Sequence, residues 1–339
     1  MGNKQSTALA KNKNKNQIPS KPPTSEQKCW YAEGRRYAYY KNSKYIFPED
    51  DIEIDRLQMQ HYLFRHIFYG NFSAPVEDVL NQGGRILDIG CGPGTWVLEN
   101  SCDFSRSEFY GIDIAPMFPS MIKPRNAHFI QANILDGLPF DDNYFDFVHL
   151  GFLSACFSEE NWTTQVIPEC IRVCKSNGWI EFYESDGAAA FNGGPCYTQV
   201  VESLRQEFST MDLNIRAATL YKDWLLKEPT LTNVQEEVKK QSIGNCDCLA
   251  MIMKECLKIL FQTLAPRLAK NLGISVNEFE KMLQDVQEEY DKYGTYMNFY
   301  RVYAQKQMIQ SPSTDAPDRV VGLCMLKVVV LKDDDSLKQ

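Results

Sequence analysis

The sequence predicts an α/β fold, a parallel sheet with helices on both faces and further helices added late in the chain. Three observations carry this. From Arg85 to Asp186, apolar runs of strand length alternate with helical stretches, the pattern of strands joined by crossovers. Those runs are almost continuously apolar, as strands buried on both faces must be. A glycine-rich loop directly follows the first of them, where parallel sheets bind ligands.

Taken in order, residues 1 to 28 are polar and carry six lysines against Glu26, too little apolar surface to fold alone, so a flexible tail is expected. Residues 29 to 84 read as a helical lead-in. Its first part is aromatic (Trp30, Tyr31, Tyr37, Tyr39, Tyr40), which is packing or a lid. Leu57, Leu63, Ile67 and Phe68 then recur near helical spacing, with Asp55 as a cap. Pro75 opens a short helix ending near Gly83-Gly84. Strands are expected at Arg85 to Ile89, Phe109 to Ile114, Ala127 to Ala132, Phe145 to Leu150 and Gly178 to Tyr183. Within a main domain of 85–310, a helical insertion is expected over about 197–293. It includes helices from Tyr197 to Met211 and from Leu249 to Leu272, the latter broken or kinked by Pro266. Ser275-Val276-Asn277-Glu278 is a capping box, and Gly294 ends the helix it opens. Tyr296 to Gln305 has strand composition. Residues 311–339 form a C-terminal tail whose Val320 to Leu331 run has strand propensity and no assigned partner.

The bulk numbers bound the function. The chain has 339 residues, 44% hydrophobic and 24% charged, enough for a sizeable core. A net charge of −8 argues against a general nucleic-acid surface, so no nucleic-acid partner is expected. Eleven cysteines without a secretory leader suit a reducing compartment, and a cytoplasmic location follows. None of them has metal-ligand companions at zinc spacing, so no metal is expected. No run of 18 uncharged apolar residues suggests a membrane span.

The chemistry centres on Ile86-Leu87-Asp88-Ile89-Gly90-Cys91-Gly92-Pro93-Gly94. Glycine is needed where backbone turns tightly against a ligand. A dinucleotide loop wants G-x-G-x-x-G, but here the spacing is G-x-G-x-G and the later position is Thr95. Asp88, just before the loop, would repel a pyrophosphate and welcome a cationic or amine-bearing ligand. S-adenosylmethionine carries both a sulfonium and an ammonium. The next strand delivers Asp113 and Ile114, with the acid where a βαβ unit meets ribose hydroxyls. The third runs into Asn133 and Ile134, suited to the edge and face of adenine. The fourth ends at His149, Leu150 and Gly151.

These motifs resemble the class I S-adenosylmethionine-dependent methyltransferases over about residues 85 to 186. The resemblance implies a Rossmann-like, seven-stranded, mostly parallel sheet with an antiparallel last strand, which would be Tyr296 to Gln305. It implies that Gly90, Cys91, Gly92 and Gly94 border the methionine part of the cofactor, that Asp113 holds ribose, that Asn133 and Ile134 border adenine, and that Leu150 or Gly151 lies under the sulfonium. The segments Gly34-Arg35-Arg36-Tyr37, Tyr45-Ile46-Phe47-Pro48-Glu49-Asp50, Glu53-Ile54-Asp55-Arg56-Leu57 and Gln60-His61 resemble the lead-in of fungal methyltransferases linked to secondary metabolism. They imply cofactor contacts at Tyr45 and Arg56.

The expected activity is methyl transfer from S-adenosylmethionine to an unidentified acceptor, a small molecule or, as a variant, a protein side chain. The alternative is a silent regulatory or interaction protein on the same fold. His149 is a candidate base, with a structural histidine as its alternative. Glu184 and Asp186 either face the acceptor or cap the next helix. Methyl displacement needs no base unless the acceptor must lose a proton, so no catalytic residue is assigned. Met1-Gly2-Asn3-Lys4-Gln5-Ser6 fits the N-myristoylation pattern, and Lys11, Lys13 and Lys15 supply a second, electrostatic membrane signal.

Overall fold

The computed structural model describes residues 29–187, 189, 191–244 and 247–308. The Gly2 motif, Lys11, Lys13, Lys15 and the 311–339 tail lie outside the described residues. Seven strands form one sheet in the order β5-β4-β3-β6-β7-β9-β8. They are β3 (Arg85–Ile89), β4 (Glu108–Asp113), β5 (Ala127–Gln131), β6 (Phe145–Gly151), β7 (Cys174–Ser185), β8 (Leu231–Ser242) and β9 (Tyr296–Lys306). Strands β5 to β7 along that order pair in parallel, and β9 runs antiparallel between β7 and β8. This is the Rossmann-like sheet that the resemblance implied.

Alternation along the strands sends side chains to opposite faces. Ile86, Phe109 and Phe147 pack with α2 (Glu77–Gln82) and α3 (Thr95–Asp103). Leu87, Val148 and Leu150 pack on the other face with α5 (Ile167–Val173) and α7 (Tyr221–Leu226), around the buried Trp162 and Tyr221. Helix α5 is preceded by the single turn α4 (Glu159–Asn161) and a π-helical stretch. A third apolar cluster joins α1 (Asp51–Ile67), α6 (Pro195–Thr210), α8 (Cys248–Leu272) and α9 (Val276–Tyr293) to Tyr183, Met297 and Phe299. This helical layer walls off one flank of the site.

Four sequence expectations change. Asp50, not Asp55, caps α1, its carboxylate accepting from the Glu53 amide at 3.1 Å. The lead-in is not all helix, since β1 (Cys29–Ala32) and β2 (Arg35–Ala38) form a hairpin. Its turn places Glu33 and Gly34 at positive φ, a pairing that the residue types did not announce. The expected helical insertion contains the twelve-residue strand β8. Finally, α8 runs through Pro266 to a left-handed Gly273. The Ser275 capping box and the Gly294 stop are both present.

Candidate active site

The strand β3 ends in a tight loop whose glycines Gly90, Gly92 and Gly94 all have positive φ. Two of them also leave no room for a side chain. A Cβ at Gly90 would lie 2.6 Å from Leu153, and one at Gly94 would lie 2.6 Å from the Phe129 ring. Asp113, at the end of β4, fastens the loop. Its Oδ2 accepts from the Gly92 amide at 2.7 Å and its Oδ1 from the Ala115 amide at 2.8 Å. Burial pushes its carboxyl up to about 6, against the pull of those two amides.

A cleft opens above the carboxyl ends of β3, β4 and β6. One end is lined by Asp88, Gly90, Cys91, Gly92, Thr95 and Asp113, with Gly151 on the β6 side. The other is lined by Asp113, Ile114, Asn133 and Ile134. The structure thus brings the eleven expected cofactor residues to the cleft with two exceptions. Gly94 shapes the loop without lining the cleft, and Leu150 turns into the core beneath the sheet. Period-two alternation explains Leu150, because its neighbour Gly151 takes the cleft side. That leaves nine expected residues lining the cleft. A Cβ at Gly151 would collide with Tyr183, at 2.1 Å. Cys91 is a buried thiol whose pKa burial raises, a filler between glycines and not a nucleophile.

His149 does not face the cleft. It is fully buried, stacked between Trp96 at 4.1 Å and Tyr183 at 4.8 Å, and its Nδ1 lies 2.8 Å from Asp88 Oδ1. Burial drives its pKa down and that of Asp88 up. Both shifts favour a neutral acid donating to a neutral imidazole. His149 is therefore a structural support for Asp88. Asp186 is also structural, held in a two-pronged pair by Arg216 at 3.0 and 2.9 Å. Glu184 is different, because it lines a second cavity.

That cavity encloses about 1040 Å³, part of it open to solvent. Its walls are apolar, drawn from the helical layer and from Phe47, Phe152 and Phe299. Its polar lining includes Glu53, Arg56 and Glu184. Arg56 donates to both oxygens of Glu53 from Nε and Nη2, at 2.9 and 2.8 Å. Tyr45 and Cys156 line this cavity and both ends of the cleft, while Leu57 and Phe152 line the cavity and the end beside the glycine loop. Tyr45 thus stands at the junction. Arg56 lines only the cavity.

His61, Phe152, Leu153 and Cys156 line the cleft and were not singled out from the sequence. The last three belong to the loop after β6. The rule that ligands sit at carboxyl-edge loops could have extended the reading beyond Gly151. His61 stands in the lead-in segment Gln60-His61, where the resemblance implied no role for it. It reaches the cleft from α1, where its Nε2 lies 2.8 Å from Glu99.

Residues 86–178 match a family model described as a methyltransferase domain. The chain is 33% identical to methyltransferase pytC of Aspergillus terreus over 48% of this chain and 48% of that protein. It is 29% identical to the secondary metabolism regulator LAE1 of Cochliobolus heterostrophus, over 48% of this chain and 53% of that one. These matches span about half the length of those relatives. N-methyltransferase gliN of Aspergillus fumigatus is 27% identical over 77% of this chain and 96% of its own. The resemblance to fungal methyltransferases of secondary metabolism holds.

Proposed function

We propose that this chain binds S-adenosylmethionine in the cleft and methylates a small molecule held in the adjoining apolar cavity. The observation that carries this is the shared wall. Tyr45, Leu57, Phe152 and Cys156 border both spaces, so a donor and an acceptor would meet there. A chamber of mostly apolar walls with a few convergent polar groups suits one small molecule.

The residues present fit the cofactor. Asp113, its carboxyl held at about 6, supplies negative charge at neutral pH, and Asp88 is a buried carboxyl that a bound cation would help to ionise. Thr95 Oγ1 and Asn133 Nδ2 are buried polar atoms with no protein partner, each on a residue lining the cleft. Asn133 with Ile134 and Ile114 would hold adenine, Asp113 the ribose, and Gly90, Gly92, Thr95 and Asp88 the methionine part. When bound, S-adenosylmethionine supplies a methyl on a sulfonium, displaced by an acceptor lone pair while the C–S electron pair stays on sulfur. The chain contributes orientation and water exclusion, through the apolar walls and Tyr45.

Calorimetric titration with S-adenosylmethionine and S-adenosylhomocysteine tests this reading, with NAD as control. Micromolar binding of both adenosyl compounds is expected, and no binding by folded protein overturns it. The name of LAE1 favours one second reading, a regulator on this fold. Cofactor binding without turnover across a broad acceptor screen would select it. For the N-terminus, the reading extends to a peripheral membrane contact through acylated Gly2 beside Lys11, Lys13 and Lys15. Mass spectrometry showing an unmodified Gly2 in native protein removes that part.

A further inference from the structure

One acid in the acceptor cavity has no cation of its own. Glu184, near the end of β7, is only 4% exposed and lines the cavity. Its Oε2 accepts from the Ser154 amide and its Oε1 from the Ser185 amide, each at 3.0 Å. Glu53, the other acid there, is neutralised by Arg56. Among the described residues, no ion pair includes Glu184. A buried carboxylate in an apolar chamber favours whatever cation can reach it.

We propose that Glu184 anchors the acceptor and accepts its proton, and that the acceptor is an amine on an otherwise apolar body. This rests on the methyl-transfer reading above. The apolar body fits the walls formed by Phe47, Phe64, Phe208, Leu260 and Phe299. The placement of the acid fits the amine. Glu184 holds the amide of Ser154, in the loop after β6 that also carries the shared-wall residues Phe152 and Cys156. An ammonium bound there lies at the junction. Its N–H bond breaks, an O–H bond forms on a Glu184 oxygen, and the N–H electron pair stays on nitrogen as the attacking lone pair.

The neighbours leave Glu184 as the group to titrate. Arg56 and Glu53 from α1 are paired. Burial holds Tyr45, Tyr183, Tyr221, Cys156 and Cys256 in their neutral forms, and Asp88 lines the cleft on the other side of Tyr183. Burial raises Glu184 to about 7, opposed by its two amides, the Ser154 hydroxyl and Arg56.

Phenethylamine, phenethyl alcohol and phenylacetate share one skeleton and differ in charge. Their binding to the full chain is measured with and without saturating S-adenosylhomocysteine. The amine is expected to bind at least about tenfold more tightly than the other two. Glu184→Gln should remove that preference while leaving alcohol and S-adenosylhomocysteine affinities within about twofold, which also shows that the variant folds. Glu184→Asp should keep the preference. Amine affinity should rise with pH through about 7 in the wild type and stay flat in Glu184→Gln. No amine preference, or a preference that survives Glu184→Gln, overturns the proposal. So does a loss of S-adenosylmethionine but not S-adenosylhomocysteine binding in Glu184→Gln, which would assign the acid to the donor's sulfonium. Failure of both adenosyl compounds to bind sinks the methyl-transfer reading instead, and with it the role of an amine accepted there.

Discussion

Asp88 is a carboxyl that burial holds in its neutral form beside His149. Burial holds it up to about 8, and its partner His149 is a neutral ring clamped between two aromatics. An unfolded aspartate ionises near 3.9. Below that pH both states are protonated and the group favours neither. As pH rises toward about 8, only the unfolded state ionises, so wild-type stability falls across that window. Asp88→Asn keeps a donor to His149 Nδ1 and has nothing to ionise. Its stability relative to wild type should therefore grow between pH 5 and pH 8 in urea titrations. A constant difference would mean that Asp88 is ionised in the fold. Asp113 makes the complementary case, because its carboxylate holds two loop amides. Hydrogen bonds to charged groups contribute about 1.5–3 kcal/mol each. Asp113→Ala should weaken S-adenosylhomocysteine binding by about tenfold or more, and calorimetry giving an unchanged Kd would detach Asp113 from the cofactor.

At the scale of elements, the glycine loop and β9 set the geometry. Gly94→Ala would force a side chain into φ 78° and against Phe129, itself stacked on Phe118 at 5.0 Å. Left-handed backbone and overpacking together should cost about 2–4 kcal/mol, read from denaturant midpoints. A loss below about 0.5 kcal/mol would show that the loop relaxes freely. In β9, Arg301 is 2% exposed, donates to the Gly70 carbonyl at 2.7 Å and lies 4.6 Å from the Phe68 ring. It ties the end of α1 to the sheet. Replacing it by Leu should destabilise by about 3–5 kcal/mol, since Glu181 would be left without its cation. The five parallel strands were legible because burial on both faces leaves apolar runs such as Ile86-Leu87. Strand β8 was not, because Thr232 to Ser242 lies at the sheet edge, carries Glu236, Glu237, Lys239 and Lys240, and leaves even Val238 47% exposed. The site divided the same way. Asp113 and the glycines follow from local spacing, whereas His61 and the acceptor cavity arise only when α1 and α8 fold over the sheet.

For the whole molecule, the question is whether the two spaces fill independently. Tyr45 lines the cavity and both ends of the cleft, on a segment without regular secondary structure between β2 and α1. That segment is held at its end by ties to one short stretch. Arg35 grips Asp50 at 2.6 Å, and Arg36 grips the Glu49 carbonyl at 2.8 Å. Between them, among the described residues, the Tyr45 amide donates to Ser43 Oγ at 3.1 Å and no amide of residues 39–47 donates to a backbone carbonyl, so a bound ligand would be their main protection. Ligand at one hundred times its Kd stabilises a fold by about 2.7 kcal/mol, or roughly 4 °C in Tm for a chain of this size. With S-adenosylhomocysteine, that rise should coincide with slower hydrogen exchange in residues 39–47 and at the loop after β6. The β8 edge, remote from the cleft, should gain only what global stability gives it. The lead-in would then be the element through which a filled cleft shapes the acceptor cavity, and amine affinity should increase once the adenosyl ligand is bound. A Tm rise with unchanged exchange over 39–47 would assign cofactor binding to the sheet edge alone and leave Tyr45 a wall of the cavity.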